Sequence, residues 1–132
     1  MKILGLDLGD RHVGVAVLDT TVPVALPLPD FTYHRFFIRA LTKLVAEQQT
    51  DEIVIGLPLT LAGTDSPQTK KVRALANQIS TELNRPVHLQ DERFTTRQAS
   101  GLLKSMGPSP AHHLDSVAAQ LILEAWWATR SA

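Results

Sequence analysis

The sequence predicts an α/β domain: a mixed five-stranded sheet, led by a hairpin, with helices on both faces. Three observations predict it. Two short apolar segments, residues 3–8 and 13–18, flank the turn-rich Gly9-Asp10-Arg11-His12, which reads as a β-hairpin. After them, helix-like and strand-like patterns alternate, as they do where helices cover a sheet. The length of 132 residues, with 44% hydrophobic and 20% charged residues, suits one globular domain over residues 1–132 and not a disordered chain.

Each element follows from its own pattern. In the second strand Val13, Val15 and Val17 share one face, with Gly14 and Ala16 on the other. In the first, Leu4, Leu6 and Leu8 lie opposite Ile3, Gly5 and Asp7. Residues 22–28 read as a third strand, confined to an edge by Pro23, Pro27 and Pro29. A helix is expected over about 33–49, with Phe37, Leu41, Leu44 and Val45 as its apolar stripe. Residues 52–56 form a short apolar run, read as a buried strand. Ser66-Pro67 is a cap followed by proline at the first helical position, opening a helix to about residue 83. Residues 86–90 are the fifth strand. Thr95 and Gln98 fit a capping box for a helix ending near Gly107, and Ser109-Pro110 opens the last helix, to about Thr129. One of Trp126 and Trp127 is expected to cap the core and the other to lie outside it. This is the element order of the ribonuclease H-like fold.

Composition excludes several classes. Lys+Arg and Asp+Glu number 13 each, so no strongly basic coat binds nucleic acid without selectivity. There is no cysteine, which excludes a disulfide framework, a thiolate zinc site and a cysteine nucleophile. The longest run without Asp, Glu, Lys or Arg is 12 residues, 53–64, too short to span a membrane. Asp7, Asp10 and Arg11 interrupt any signal-peptide core. A cytoplasmic protein is expected.

Three acidic positions stand out. Asp7 lies within an apolar strand, where a carboxylate is expensive unless paired or bound to a cation, and Gly5 and Gly14 leave space beside it. Asp91 and Glu92 stand at the carboxyl end of a strand, where open α/β sheets place ligands. They point to opposite faces of an extended chain, so one of them faces a given site. Asp115 sits in the first turns of the last helix, where the helix dipole favours a negative charge, and Ala118 and Ala119 would let that helix approach the sheet. Taken singly, the last two have ordinary explanations as loop solvation and dipole effect. Together the three suit a hard cation with oxygen ligands, Mg²⁺ or Mn²⁺, and phosphodiester cleavage. The loop at 57–65 leads to a helix N-terminus, where its backbone amides and hydroxyls would suit a phosphate; it reads equally as a plain strand-to-helix loop, since its glycine spacing is not that of a P-loop. Arg35, Arg39, Lys70, Lys71, Arg73, Arg93, Arg97 and Lys104 would track a nucleic-acid backbone if they share a side, and are otherwise solvated helix faces.

The motifs resemble a known family. Leu6-Asp7-Leu8-Gly9 with Gly14-Val15-Ala16, the stretch 51–59 with Gly63-Thr64, Asp91-Glu92-Arg93-Phe94-Thr95-Thr96 with Ala99, and 115–119 with Ile122-Leu123 occur in the order of the YqgF/RuvX family. The resemblance implies a ribonuclease H-like fold related to RuvC Holliday junction resolvases. It implies a divalent-metal-dependent nuclease that matures the 5′ end of pre-16S ribosomal RNA. It makes Asp7, Glu92 and Asp115 the catalytic, metal-binding acids, with Asp91 and Arg93 in support. The motif leaves Asp91 and Glu92 open as the ligand, and Glu92 is favoured because Asp91 shares a face with Val87 and Leu89. The alternatives are a resolvase acting on branched DNA as a two-fold dimer rather than a monomer, and a non-catalytic RNA- or ribosome-binding module. A phosphotransferase of the actin and sugar-kinase fold ranks last, because that fold needs two such domains. Two departures from the family bear on affinity. Thr60 replaces a frequent Asn, and the loop at 105–113 lacks the usual Lys and Arg, which predicts weaker phosphate contacts and a flatter salt dependence. Below about pH 6.5, His112 and His113 would restore part of that charge.

Overall fold

The computed structural model describes residues 1–32, 36–93 and 112–130, and at 112–115 the backbone alone. Its elements are β1 (Lys2–Leu8), β2 (His12–Asp19), β3 (Val22–Thr32), α1 (Phe37–Glu47), β4 (Glu52–Leu57), α2 (Pro67–Leu83), β5 (Val87–Asp91) and α3 (His112–Arg130). The five strands form one sheet in the order β3-β2-β1-β4-β5. β1, β2 and β3 pair antiparallel, while β4 and β5 join β1 in parallel. Parallel pairing requires crossover connections, and α1 and α2 supply them. The helix expected over 95–107, with its Thr95–Gln98 cap, lies outside the described residues.

Alternation along the strands makes two cores. Leu4, Leu6, Leu8, Val13, Val15, Ile53, Ile55 and Leu57 pack beneath α1 and α2. Ile3, Ala16, Leu18, Ala25 and Val54 pack beneath Ala119, Ile122, Leu123 and Trp126 of α3. Each fully buried Leu or Ile contributes roughly 1.5–3 kcal/mol. Trp126 is buried and Trp127 half-buried. The Trp126 ring stands 5.1 Å from His88 and carries the Arg130 guanidinium 4.9 Å above it. At the same end, His88 Nε2 meets Glu52 Oε1 at 2.8 Å.

Element ends match local chemistry. Ser66 caps α2 in a reciprocal box with Thr69, Pro67 opens the helix, and Asn84 closes it in the left-handed conformation. The helix expected from residue 33 is described from Phe37, after a Phe36 cap with no side-chain hydrogen bond; residues 33–35 lie outside the described set. β3 runs to Thr32, past the expected end at 28. It lies at the sheet edge, where proline needs no ladder partner. Between Leu28, opposite Val15, and Phe31, opposite Val13, the strand carries a bulge. No helix among the described residues is long and apolar enough to cross a membrane.

Candidate active site

Asp7 is the last α3-facing residue of β1, after Ile3 and Gly5. Its cross-strand neighbour is Gly14 of β2. Three glycines on this face keep the surface low. A Cβ on Gly5 would meet the Leu123 side chain and the Ala119 carbonyl, so Gly5 is where α3 settles onto the sheet. A Cβ on Gly56 would collide with the Glu92 carboxylate and with Ile122. The space above Gly56 is therefore filled by the carboxyl group of Glu92.

Glu92 follows β5 directly and its N–H donates to the Leu57 carbonyl at 3.2 Å. That bond extends the β4–β5 ladder by one step and turns Glu92 toward α3, the same face as Asp7. The two carboxyl groups are hydrogen-bonded. Burial pushes the Glu92 pKa up, and the neighbouring Asp7 charge, the bond to Asp7 and the Asp91 charge add to it, to about 8. Two carboxylates in one desolvated space bind a shared proton or a cation in its place.

Asp91 faces the other way. Its Oδ1 accepts the Arg93 N–H at 3.0 Å, and its Oδ2 accepts Arg93 Nε at 2.8 Å, with Nη2 at 2.7 Å. The Arg93 side-chain hydrogen bond holds the Asp91 carboxyl below its ordinary value. Arg93 Nη1 also donates to the Leu61 carbonyl at 3.2 Å. Asp91 thus ties the 57–66 loop to the end of β5 and leaves Glu92 to meet Asp7.

Asp115 lies one turn into α3 and its side chain is outside the described residues. The next residue, Ser116, is buried and donates to the Leu28 carbonyl at 2.6 Å, which fixes the start of α3 over β3. Ala119 is fully buried against the sheet, as the expected close helix approach requires. Among the described residues no group of three His, Asp or Glu side chains assembles. Asp7 and Glu92 form a pair.

The RuvX family model, described as a Holliday junction resolvase, matches residues 1–129. The chain belongs to the RuvX family. Relatives from Chloroflexus aggregans and Thermosynechococcus vestitus, each named "Putative pre-16S rRNA nuclease", are 38% identical to it. The first match covers 92% of this chain and 89% of the relative, the second 99% and 90%. The fold is similar to T. thermophilus RuvC in complex with a Holliday junction substrate, with TM-score 0.60, 16% identity and coverage of 100% of this chain and 96% of that one. It is also similar to Fowlpox virus resolvase bound to Holliday junction DNA, with TM-score 0.58, 13% identity and 99% of both chains covered. These two likenesses confirm the ribonuclease H-like fold expected from the element order.

Other expectations fare differently in this RuvX chain. Four N–H groups of the 57–65 loop bond within the loop. Leu59 N–H bonds Leu57, Thr60 N–H bonds the Thr64 carbonyl, Gly63 N–H bonds Thr60, and Thr64 N–H bonds Thr60 Oγ1. The Thr60 and Thr64 hydroxyls meet at 2.7 Å, and Thr69 Oγ1 donates to the Pro58 carbonyl. These bonds favour the plain strand-to-helix loop over a phosphate site. Thr60, at the family's Asn position, closes the loop. Arg73 is engaged by Asp65 through two bonds of 2.9 and 3.1 Å. Lys70 and Lys71 are exposed in the first turns of α2, which begins at the same end of the sheet as the acidic pair. Arg97 and Lys104 lie outside the described residues. Sequence reasoning missed the Gly56–Glu92 fit, since nothing local shows that residue 56 lies beneath residue 92. It also missed Asp30 and His12, taken up below.

Proposed function

We propose that this protein is a nuclease that uses a divalent cation, Mg²⁺ or Mn²⁺, to hydrolyse phosphodiester bonds in structured RNA, in the 5′-end processing of pre-16S ribosomal RNA. The observation that carries this reading is the convergence of Asp7 and Glu92 over Gly56. The donor set fits such a cation: oxygen ligands only, no thiolate, and two carboxyl groups crowded until one prefers a proton. The names of the relatives support RNA as the substrate.

Asp7, Glu92 and Asp115 would hold the metal. Bound there, it supplies Lewis acidity and an activated water for in-line attack, the chemistry of nucleases generally. The chain's own contribution is placement. β1 fixes Asp7, and the extended β4–β5 ladder fixes Glu92. Gly5 lets α3 settle onto the sheet, Gly56 makes room for the Glu92 carboxyl group, and Gly14 stands opposite Asp7. Asp91 and Arg93 brace the loop beside the site. Lys70 and Lys71, with Arg97 and Lys104, would contact the flanking backbone, and Arg73 would do so only by leaving Asp65.

The test is cleavage by wild type and Asp7→Asn of a precursor-rRNA fragment, single-stranded RNA, single-stranded DNA and a four-way DNA junction, each with Mn²⁺, Mg²⁺ or EDTA. Metal-dependent cleavage of the precursor that is lost in Asp7→Asn supports the proposal. Preference for the junction with paired symmetric nicks replaces it with a resolvase. No cleavage, or equal cleavage by both proteins, leaves a binding module.

A further inference from the structure

Asp30 is a buried acid that the proposed cleavage does not use. Its side chain is 7% exposed, and its Oδ2 is buried with no hydrogen-bond partner. A carboxylate oxygen in that state is costly unless a cation compensates it. The group that approaches it is His12, whose Nδ1 stands 3.3 Å from Oδ2 while the imidazole remains 46% exposed. The two atoms lie close but without hydrogen-bond alignment. The bulge in β3 produces this contact. Leu28 and Phe31, three residues apart, both pack toward α1 and α2, so the intervening residues absorb the extra step and Asp30 turns to the opposite face. Bulges commonly re-aim a side chain in this way beside active sites.

That face carries Asp7. The β1–β2 ladder is regular from Lys2–Asp19 to Leu8–Val13. His12 therefore continues the series of Leu18, Ala16 and Gly14 on the α3 side. Gly14 is opposite Asp7, and His12 lies two residues further along the strand, about 7 Å. A nucleic-acid backbone crossing the acidic pair would place a neighbouring phosphate near that position. Such a substrate needs cations here: Asp7 and Glu92 repel it, Arg73 is held by Asp65, and Arg93 by Asp91.

We propose that His12 and Asp30 form a phosphate-binding pair for the nucleic-acid backbone, gripping the phosphodiester adjacent to the one cut at Asp7 and Glu92. Asp30 lies against Nδ1, which leaves Nε2 for the substrate. In the complex the ring lies between the Asp30 carboxyl group and the phosphate, and it donates to both only with a proton on each nitrogen. This rests on the nuclease reading for the cut, but not for the grip itself. Two donors are too few for a metal site, and no third joins them among the described residues.

The experiment measures cleavage kinetics and, separately, binding of a fluorescent precursor-rRNA fragment by anisotropy. The proteins are wild type, His12→Gln, His12→Arg and Asp30→Asn, over a salt series at one pH. His12→Gln and Asp30→Asn should raise KM and Kd about 3- to 10-fold with kcat within about twofold, the loss of one charged contact. The slope of log affinity against log salt should fall by about one in His12→Gln. His12→Arg should restore affinity and slope, which a merely structural role would not predict. Wild-type KM, Kd and slope in His12→Gln overturn the proposal, as does a loss confined to kcat. If the wild type binds RNA but never cleaves, the nuclease reading falls and the pair is judged on Kd alone. If the wild type binds none of the RNA, both fall.

Discussion

Glu92 and Asp7 share a hydrogen bond across the bare surface of Gly56, and the bond exists because one of the two acids keeps a proton. Their pairing is a fold property. Asp7 stands one residue before the end of β1, Glu92 extends β5, and β4 lies between the two strands.

The pair makes the metal-free protein pH-sensitive. The folded pKa of Glu92, about 8, lies above its ordinary value of 4.5. The folded state therefore binds the extra proton, and this contribution to stability is complete below about pH 4.5 and lost as pH rises through 8. Thermal unfolding in EDTA should show Tm falling across that window. Mg²⁺ or Mn²⁺ should recover it at pH 8, and Glu92→Gln should flatten the fall, with Tm at pH 8 higher by on the order of 5 °C.

Gly56 is the second target. Gly56→Ala places a Cβ against Glu92 and Ile122. Overpacking of this kind costs about 1–3 kcal/mol. Because the displaced group is the Glu92 carboxylate, kcat should fall more than the loss of stability explains. Urea unfolding and cleavage of the same preparation check both parts.

Asp91 and Glu92 should separate cleanly. Glu92→Gln removes a carboxylate that meets Asp7, and should abolish both cation binding and cleavage. Asp91→Asn removes the partner of Arg93 and should reduce cleavage by roughly 10–100-fold, as loss of a supporting contact does. Mn²⁺ titration of the two variants distinguishes them: Asp91→Asn should bind the ion and Glu92→Gln should not.

Trp126→Ala tests the α3 layer far from the acids. The ring is buried, tilted against His88 and covered by Arg130. Its loss should cost about 3–5 kcal/mol. Chemical denaturation measures the cost. Cleavage per folded molecule should be unchanged at a temperature where the variant is still native.

Much of this was legible in the sequence because strand alternation has a fixed period. Leu4, Leu6 and Leu8 against Gly5 and Asp7 gave both the faces and the acid's direction, and the same rule on Val87, Leu89 and Asp91 pointed Glu92 to the site. Ser66-Pro67 gave the start of α2, since capping is local chemistry. Long-range facts were not legible. The fit of Glu92 over Gly56 depends on β4–β5 register, and the burial of Asp30 on a bulge that no local signal in Pro29-Asp30-Phe31 announces. The 57–65 loop was open to two readings, because hydroxyls and glycine suit a phosphate equally well when they bond one another.

The most direct measurement is Mn²⁺ binding by calorimetry, paired with cleavage of the precursor-rRNA fragment, for wild type, Asp7→Asn and Glu92→Gln. The account predicts that the wild type binds the ion and cleaves, and that each variant loses both together while remaining folded. Either variant binding Mn²⁺ and cleaving as the wild type does would contradict it.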